Sequence, residues 1–425
     1  MNAPQPPPTP VGADRHGLPA PLVQHLAAAV EVLESGARFA PLGDTDRFPW
    51  PCAPTDADRA LARAVANAPS VEMALALRLE AAARLSEMLD GLKRYQTSPH
   101  CRTLDDPKVV WRQGSARLLD FGADQPGGRP LLVAPSLINS HHVLDLDHDW
   151  SLVRHLAANG LRPFLLDWGE PLMNERSFTL SDYLAQRLIP AFDLVRQEAG
   201  GGKVPLLGYC MGGTLTIALS SLRSMDVERI ALIGSPWDFS HMTPMRSALA
   251  ALGVAGEPSV LSDMINRVGA CFGAIPMTAL QVVFAQLDPG LAARKFRRFA
   301  RLPETAADLR KFVLIEDWLN AGPALSAPAA KAALIDWHLD NTTMRGTWKV
   351  NGQLIRPETV AAPTLICAAT EDRITPPRAT EALAAIMPNV RISRPKAGHV
   401  GMVVGSGAPK SLWSELTNFF RAEAL

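Results

Sequence analysis

Apolar residues change their spacing along the chain, and the change divides the chain into parts. Over residues 21–105 they recur every three or four positions, most clearly over 21–37 and 55–95, which predicts a helical N-terminal region. From residue 106 onward, short apolar runs alternate with helical patterns. Strands that alternate with helices predict a mostly parallel, doubly wound sheet covered by helices on both faces.

The strand-like runs fall into two groups, separated by a stretch without them. Six predicted strands lie in the first group, residues 106–237: they are 109–111, 116–121, 130–134, 162–167, 204–209 and 229–234. Two lie in the second group, residues 337–425: they are 363–369 and 390–393. Residues 238–336 carry only helical patterns, over 259–272, 276–287 and 304–320. We interpret this stretch as a helical cap inserted into an α/β core.

Composition adds a tail and excludes several classes of protein. Five of the first ten residues are Pro, so we expect residues 1–20 to be a disordered tail. Lys and Arg together number 42, as do Asp and Glu, and a net charge of zero argues against a nucleic-acid-binding protein. The five cysteines are far apart, which predicts neither a disulfide framework nor a structural zinc site. Without a signal-peptide pattern or a transmembrane segment, the sequence predicts a cytoplasmic protein.

The sharpest chemical signal is a glycine-flanked cysteine at residues 208–214. Cys210 stands between Gly208 and Gly212, after a buried strand and at the start of a helix. This is the nucleophile turn of the α/β-hydrolase fold, with Cys where Ser is usual. Most cysteines are small buried hydrophobes, but here the strand, the glycines and the helix all favour a nucleophile. The helix N-terminus would stabilise a thiolate.

A base and an acid follow the cysteine in the order that this fold uses. Asp372 comes directly after the predicted strand 363–369, and His399 lies in a glycine-flanked turn after the last strand. Glu371 is a rival for the acid. Taken singly, Asp372 could equally be a charge at a helix N-terminus, and His399 could equally be a histidine in a turn, neither with a catalytic role. As an ordered set they predict a catalytic triad with Cys210.

A second group of polar residues suggests metal binding but has no recognisable spacing. Histidines and aspartates alternate over a short stretch, namely His141, His142, Asp145, Asp147, His148 and Asp149. Their spacings match no ligand motif. The sequence therefore predicts neither a metal site nor any other cofactor.

Motifs spread over residues 90–425 resemble those of polyhydroxyalkanoate synthases, and they keep the family's order. They lie at residues 135–139, 143–146, 151–154, 166–169, 208–215, 337–342, 371–376 and 398–401. The resemblance implies an acyltransferase with a Cys-His-Asp triad. Such an enzyme polymerises 3-hydroxyacyl-CoA thioesters into polyester, releases CoA and works at the surface of polyester granules.

The resemblance also assigns roles by position. Cys210 becomes the acylated nucleophile, His399 the general base and Asp372 its partner, which also helps to activate the incoming 3-hydroxyl. A tetrahedral intermediate needs two backbone donors, and Met211 with Ile138, in the loop after the strand 130–134, are the candidates. The CoA thioester is the substrate, and no separate cofactor is implied.

Two features depart from the family pattern and leave alternatives open. Arg373 stands where many members have His, and this chain carries a helical N-terminal region of its own, whereas short members need a helical second subunit. A homodimer and a second subunit are therefore both open. A thioesterase or an intracellular polyester depolymerase using the same triad is the alternative activity. A catalytically silent granule-binding protein is the alternative from a different class.

Overall fold

The structure, a computed structural model, describes most of the chain. It covers Arg15 and residues 55–66, 70–123, 127–243, 245, 247, 249, 258–285, 287–288, 290–304 and 307–422. Apart from Arg15, the predicted tail 1–20 and the predicted helix over 21–37 lie outside the described residues. The chain divides into two compact units. The first takes the described residues of Cys101–Leu287 and Leu314–Leu425, and the second those of Gly12–His100 and Asp288–Val313.

The first unit is built on a sheet of eight described strands. In chain order these are β1 Lys108–Gln113, β2 Ala116–Asp120, β3 Arg129–Ala134, β4 Leu161–Asp167, β5 Val204–Tyr209, β6 Val227–Ile233, β7 Thr364–Cys367 and β8 Val390–Ser393. Their order across the sheet is β1-β2-β4-β3-β5-β6-β7-β8. Strand β2 is antiparallel to both β1 and β4, and the strands from β4 to β8 pair in parallel. The predicted mostly parallel sheet is confirmed.

The described residues also form the helices that cover this sheet and build the second unit. They are α1 Asp56–Ala66, α2 Ser70–Gln96, α3 Leu152–Ala158, α4 Leu180–Tyr183, α5 Ile189–Glu198, α6 Met211–Leu222, α7 Pro258–Phe272, α8 Met277–Ala285, α9 Leu291–Ala300, α10 Ala307–Asn320, α11 Ala327–Lys331, α12 Pro377–Glu381, α13 Gly401–Val404 and α14 Ser414–Arg421. Helix α9 was not predicted. None of the described helices combines the length and the apolar character that crossing a bilayer requires.

The chain leaves the neighbouring strands β3 and β5 toward opposite faces of the sheet. Helix α3, which follows β3, places Leu156 in the same apolar cluster as Val133 of that strand. Helix α6, which follows β5, places Leu215 in the cluster on the other face, with Leu132. In open α/β sheets such a divergence opens a crevice beyond the carboxyl ends of the strands, where ligands bind.

The second unit has an apolar core of its own. Met88, Leu92 and Tyr95 of α2 pack with Phe296 and Phe299 of α9. Gly91 allows the helices to approach closely, because a Cβ there would overlap the backbone carbonyl of Phe296. Part of the segment predicted as a cap, Asp288–Val313, therefore shares a core with the N-terminal helix α2. The boundaries of a cap, 238–336, remain a prediction.

Candidate active site

Cys210 occupies the turn between β5 and α6 in a strained backbone conformation. Its φ is 53° and its ψ is −128°. Among the other described non-glycine residues, a positive φ occurs only at three asparagines. Such a conformation costs on the order of 1–3 kcal/mol, so surrounding structure must impose it. The Cys210 N–H donates to the carbonyl of Ile233 (2.9 Å), which ties the turn to the neighbouring strand β6.

Around this turn, no side chain would fit at Gly208, Gly212 or Gly213. A Cβ at Gly208 would overlap the Cα of Gly213, and one at Gly212 would overlap the carbonyl oxygens of Ala134 and Pro135. These contacts explain why the turn needs glycine on both sides of its nucleophile. They also bring the start of α6 against the end of β3.

We expect Gly213→Ala to destabilise the protein, although alanine is the better helix former. A Cβ at residue 213 would overlap the buried Oγ of Ser235. Overpacking of this kind costs about 1–3 kcal/mol in the free energy of unfolding, measurable by urea denaturation. Gly407→Ala is the control, because a Cβ there meets no atom within 4 Å, and we expect a change of less than about 0.5 kcal/mol. Equal stability of both variants would contradict the tight packing at Gly213.

Asp372 and His399 meet beyond the carboxyl end of β7. Oδ2 of Asp372 lies 2.7 Å from Nδ1 of His399, and both side chains are almost completely buried, at 0% and 6% exposed. Oδ1 of Asp372 accepts the N–H groups of Ile374 (2.9 Å) and Thr375 (2.7 Å). Because an ionised carboxylate can only accept, Nδ1 of His399 carries a proton. The rival acid Glu371 is exposed, so the structure brings Asp372 and not Glu371 to the histidine.

The imidazole of His399 connects Asp372 to Cys210. With Nδ1 facing Asp372, the other ring nitrogen is left for the hydrogen bond between His399 and Cys210. Burial alone would lower the pKa of His399, but the charges of Cys210 and Asp372, and hydrogen bonds to both, raise this pKa to about 10. His399 therefore favours its protonated form and is placed to take the proton of the Cys210 thiol. We refer to Cys210, His399 and Asp372 as the triad.

The two predicted oxyanion donors lie at the same crevice but differ in their partners. Met211 is the first residue of α6, so its N–H has no acceptor within the helix. The N–H of Ile138 donates to Oγ of Ser136 (3.1 Å) and must exchange this bond to serve an oxyanion. Both Met211 and Ile138 line one cavity at this crevice.

An apolar cavity opens in front of the triad. It leaves about 180 Å³ open to a water-sized sphere, and both Cys210 and His399 line it. Its walls are mainly apolar and aromatic, including Phe239, Met245 and Trp337. No signal in the sequence linked Phe239 and Met245 to the nucleophile, because these residues of the predicted cap come to the cavity at Cys210 only through folding. An apolar, partly enclosed cavity suits an acyl chain and strengthens charge interactions at the thiol.

The structure separates the histidines and aspartates that alternate in the sequence. Asp145 is buried and held by Arg102 (2.9 Å) and Arg154 (2.7 Å), while His148 is exposed. His141 and His142 instead face Asp106, a residue that the sequence reasoning did not consider.

Comparison with known proteins places this geometry in a family. Residues 129–406 match the family model described as alpha/beta hydrolase fold. The chain belongs to the α/β-hydrolase family. In this fold a nucleophile on a strand-to-helix turn comes first in the chain, then an acid and then a histidine, which is the order of Cys210, Asp372 and His399. The predicted fold class is confirmed.

Several curated relatives of this chain share one name. Proteins named "Poly(3-hydroxyalkanoate) polymerase subunit PhaC" from Haloarcula marismortui, Haloferax mediterranei and Synechocystis are each 27% identical to it over 326, 319 and 311 residues. These matches cover 73%, 74% and 72% of this chain and 66%, 63% and 81% of the relatives. The chain thus spans less than two thirds of the length of the two archaeal relatives. The resemblance inferred from the motifs is confirmed.

Proposed function

We propose that the protein is a polyhydroxyalkanoate synthase-like acyltransferase that polymerises 3-hydroxyacyl-CoA with release of CoA. The observation that carries this proposal is the triad at the wall of an apolar cavity, with its histidine and carboxylate buried. The names of its relatives support the choice of substrate.

Acylation is the first step of the proposed reaction. The Cys210 thiolate attacks the thioester carbonyl carbon, and a C–S bond to the enzyme forms as the carbonyl electrons move to oxygen. The N–H of Met211, with that of Ile138, stabilises the oxyanion. When the intermediate collapses, the C–S bond to CoA breaks, and the His399 imidazolium protonates the departing thiolate. One thioester replaces another, so the step is nearly isoenergetic.

Chain growth is the second step. Neutral His399 accepts the proton of a 3-hydroxyl group, whose oxygen attacks the acyl-cysteine. An ester C–O bond forms, the C–S bond breaks, and the Cys210 thiolate with its imidazolium partner is restored. Asp372 keeps the imidazole in the orientation that this proton transfer needs. Over the two steps His399 relays one proton from the hydroxyl to CoA, so the mechanism requires no cofactor beyond the CoA thioester.

The outcome of the reaction depends on which oxygen reaches the acyl-cysteine. Water would give a thioesterase, and water attacking a polyester-derived acyl group would give a depolymerase. The apolar cavity walls favour an organic hydroxyl over water, because they offer water few hydrogen-bond partners.

Product analysis with 3-hydroxybutyryl-CoA tests the proposal. We expect the wild-type protein to release CoA and to form polyester in matching amounts. Free 3-hydroxybutyrate as the only product would contradict polymerisation and favour a thioesterase. Breakdown of added polyester without synthesis would favour a depolymerase.

We also propose that the protein works in the cytoplasm at the polyester surface, as a homodimer or with a helical second subunit. The word "subunit" in the relatives' names supports a partner. Light scattering of the purified chain, alone and during polymer formation, tests this arrangement.

A further inference from the structure

A second cluster of reactive side chains lies outside both the triad and the cavity lining. Asp106, His141 and His142 each offer one ligand atom, and these atoms all lie within 4.8 Å of one another. Oδ1 of Asp106 is 3.9 Å from Nε2 of His141 and 3.8 Å from Nε2 of His142. Two imidazoles and a carboxylate form a donor set that zinc and related divalent transition metals prefer.

The outer contacts of the two histidines direct both Nε2 atoms toward Asp106. Nδ1 of His141 is 3.2 Å from Oδ1 of Asp167, and Nδ1 of His142 is 3.2 Å from Oγ of Ser140. A ring proton on Nδ1, facing these oxygens, would leave Nε2 as the lone-pair donor on the side of Asp106. Metal-binding histidines in proteins are typically oriented by such a carboxylate or hydroxyl.

Burial gives one of these lone pairs no alternative partner. The side chain of His141 is 3% exposed, and both of its ring nitrogens, including the Nε2 that faces Asp106, have no hydrogen-bond partner among the described residues. A buried polar atom without a partner destabilises a fold. A metal ion at this point would satisfy it.

The formal charges around the cluster balance one another. Arg117 contacts the far oxygens, Oδ2 of Asp106 (3.0 Å) and Oδ2 of Asp167 (2.7 Å), so both Oδ1 atoms remain turned toward the histidines. Arg102 lies 3.8 Å from Oδ1 of Asp106, but its closer partner is Asp145 at 2.9 Å. Arg154 also holds Asp145 (2.7 Å), so the carboxylates of Asp106, Asp145 and Asp167 face three guanidiniums, and no surplus positive charge repels a cation.

We propose that Asp106, His141 and His142 bind one divalent transition-metal ion, for which zinc is the best match. With metal–ligand bonds of about 2.0–2.2 Å, tetrahedral ligand atoms lie about 3.3 Å apart, so the two distances from Oδ1 of Asp106 to the histidine nitrogens would shorten by about half an ångström. The Asp106 and His142 side chains are 26% and 19% exposed, which lets water complete the coordination.

The ion would fasten two parts of the first unit together. Asp106 lies just before β1, and the histidines directly follow the loop 135–139, which carries Ile138 at the cavity wall. The site would therefore anchor the loop with the second oxyanion donor, while the chemistry proceeds at Cys210. This inference does not depend on the proposed polymerase activity.

Zinc titration of the full chain, previously treated with a chelator, tests the site. With a chromophoric chelator as competitor, we expect the wild-type protein to bind one equivalent. His142→Ala and Asp106→Asn should each lower the affinity at least tenfold, and Asp167→Asn should lower it by about 10–100-fold. His148→Ala is the matched control, because this imidazole is exposed and lies outside the cluster, and it should bind as the wild type does.

The sulfur of Cys210 and the imidazole of His399 could also bind zinc, so the experiment must distinguish the triad from the proposed site. Cys210→Ala should keep its equivalent of zinc, and bound cobalt should show no thiolate-to-metal charge-transfer band. Circular dichroism of each variant checks that it is folded. A wild-type chain without stoichiometric zinc would overturn the proposal. Undiminished binding by folded His142→Ala or Asp106→Asn would overturn it as well.

Discussion

Replacing Cys210 with alanine is expected to lower the rate of CoA release from 3-hydroxybutyryl-CoA by about 10⁴–10⁶-fold and to abolish polymer formation. The variant keeps the strained turn and the cavity but has no atom that can form the acyl-enzyme. His399 and Asp372 cannot compensate, because in the proposed mechanism they move and orient a proton and form no bond to the acyl group. The remaining activity would come from substrate binding and the oxyanion donors alone.

CoA release is measured with a thiol reagent, and polymer by its hydroxy acid content after hydrolysis. Cys271→Ala is the matched control, because Cys271 is a free, exposed cysteine outside the cavity lining, and we expect it to retain wild-type activity. An equal melting temperature would show that the Cys210 variant is folded. Activity within tenfold of the wild type would rule out Cys210 as the nucleophile.

Asp372→Asn is expected to lower the same rate by roughly 10⁴-fold. The carboxylate accepts hydrogen bonds from His399 and from the N–H groups of Ile374 and Thr375. An amide has one acceptor oxygen for these donors, and its NH₂ group facing His399 would favour the wrong tautomer. Glu371→Gln is the control, because this neighbouring carboxylate is exposed and should change the rate little.

The same variant should change the dependence on pH. The charge of Asp372 helps to raise the pKa of His399 to about 10, so Asp372→Asn should lower this pKa, as measured by NMR of the imidazole protons. In the wild-type protein the folded pKa exceeds the unfolded value of about 6.5. The resulting stabilisation is complete below about pH 6.5 and is lost as the pH rises toward 10. In the variant this loss should be smaller, and an unchanged His399 pKa would contradict the assigned pairing.

Local patterns were sufficient to predict most of the sheet. Strand β8 has the bounds expected from its apolar run, and β5 and β3 begin or end within one residue of theirs. Strand β5 is completely buried and β3 largely so, which makes their sequences continuous apolar runs, whereas the edge strand β8 alternates apolar and polar residues. Helix α9 was not predicted. Four of its ten residues are Lys or Arg, and its buried Phe296 and Phe299 become core residues only by packing with α2.

The predicted triad came from the order of three turns, each of which follows a strand. That reasoning placed Cys210, Asp372 and His399 at the carboxyl edge of one sheet, but it left Glu371 as an alternative acid. Adjacent residues in a loop point in different directions, and only the backbone donors of Ile374 and Thr375 show which carboxylate is held at the histidine.

The sequence by itself determined the alternation of strands and helices, the glycine-flanked turn at Cys210 and the order of the triad. These features depend on neighbours within a few residues, whose spacing is visible in one dimension. Tertiary structure decided that Asp372 faces His399, that helices from the predicted cap wall the cavity, and that Asp106 meets His141 and His142. Each of these joins residues that are distant in the chain. Their distances follow from the packing of many side chains at once, which no local pattern encodes.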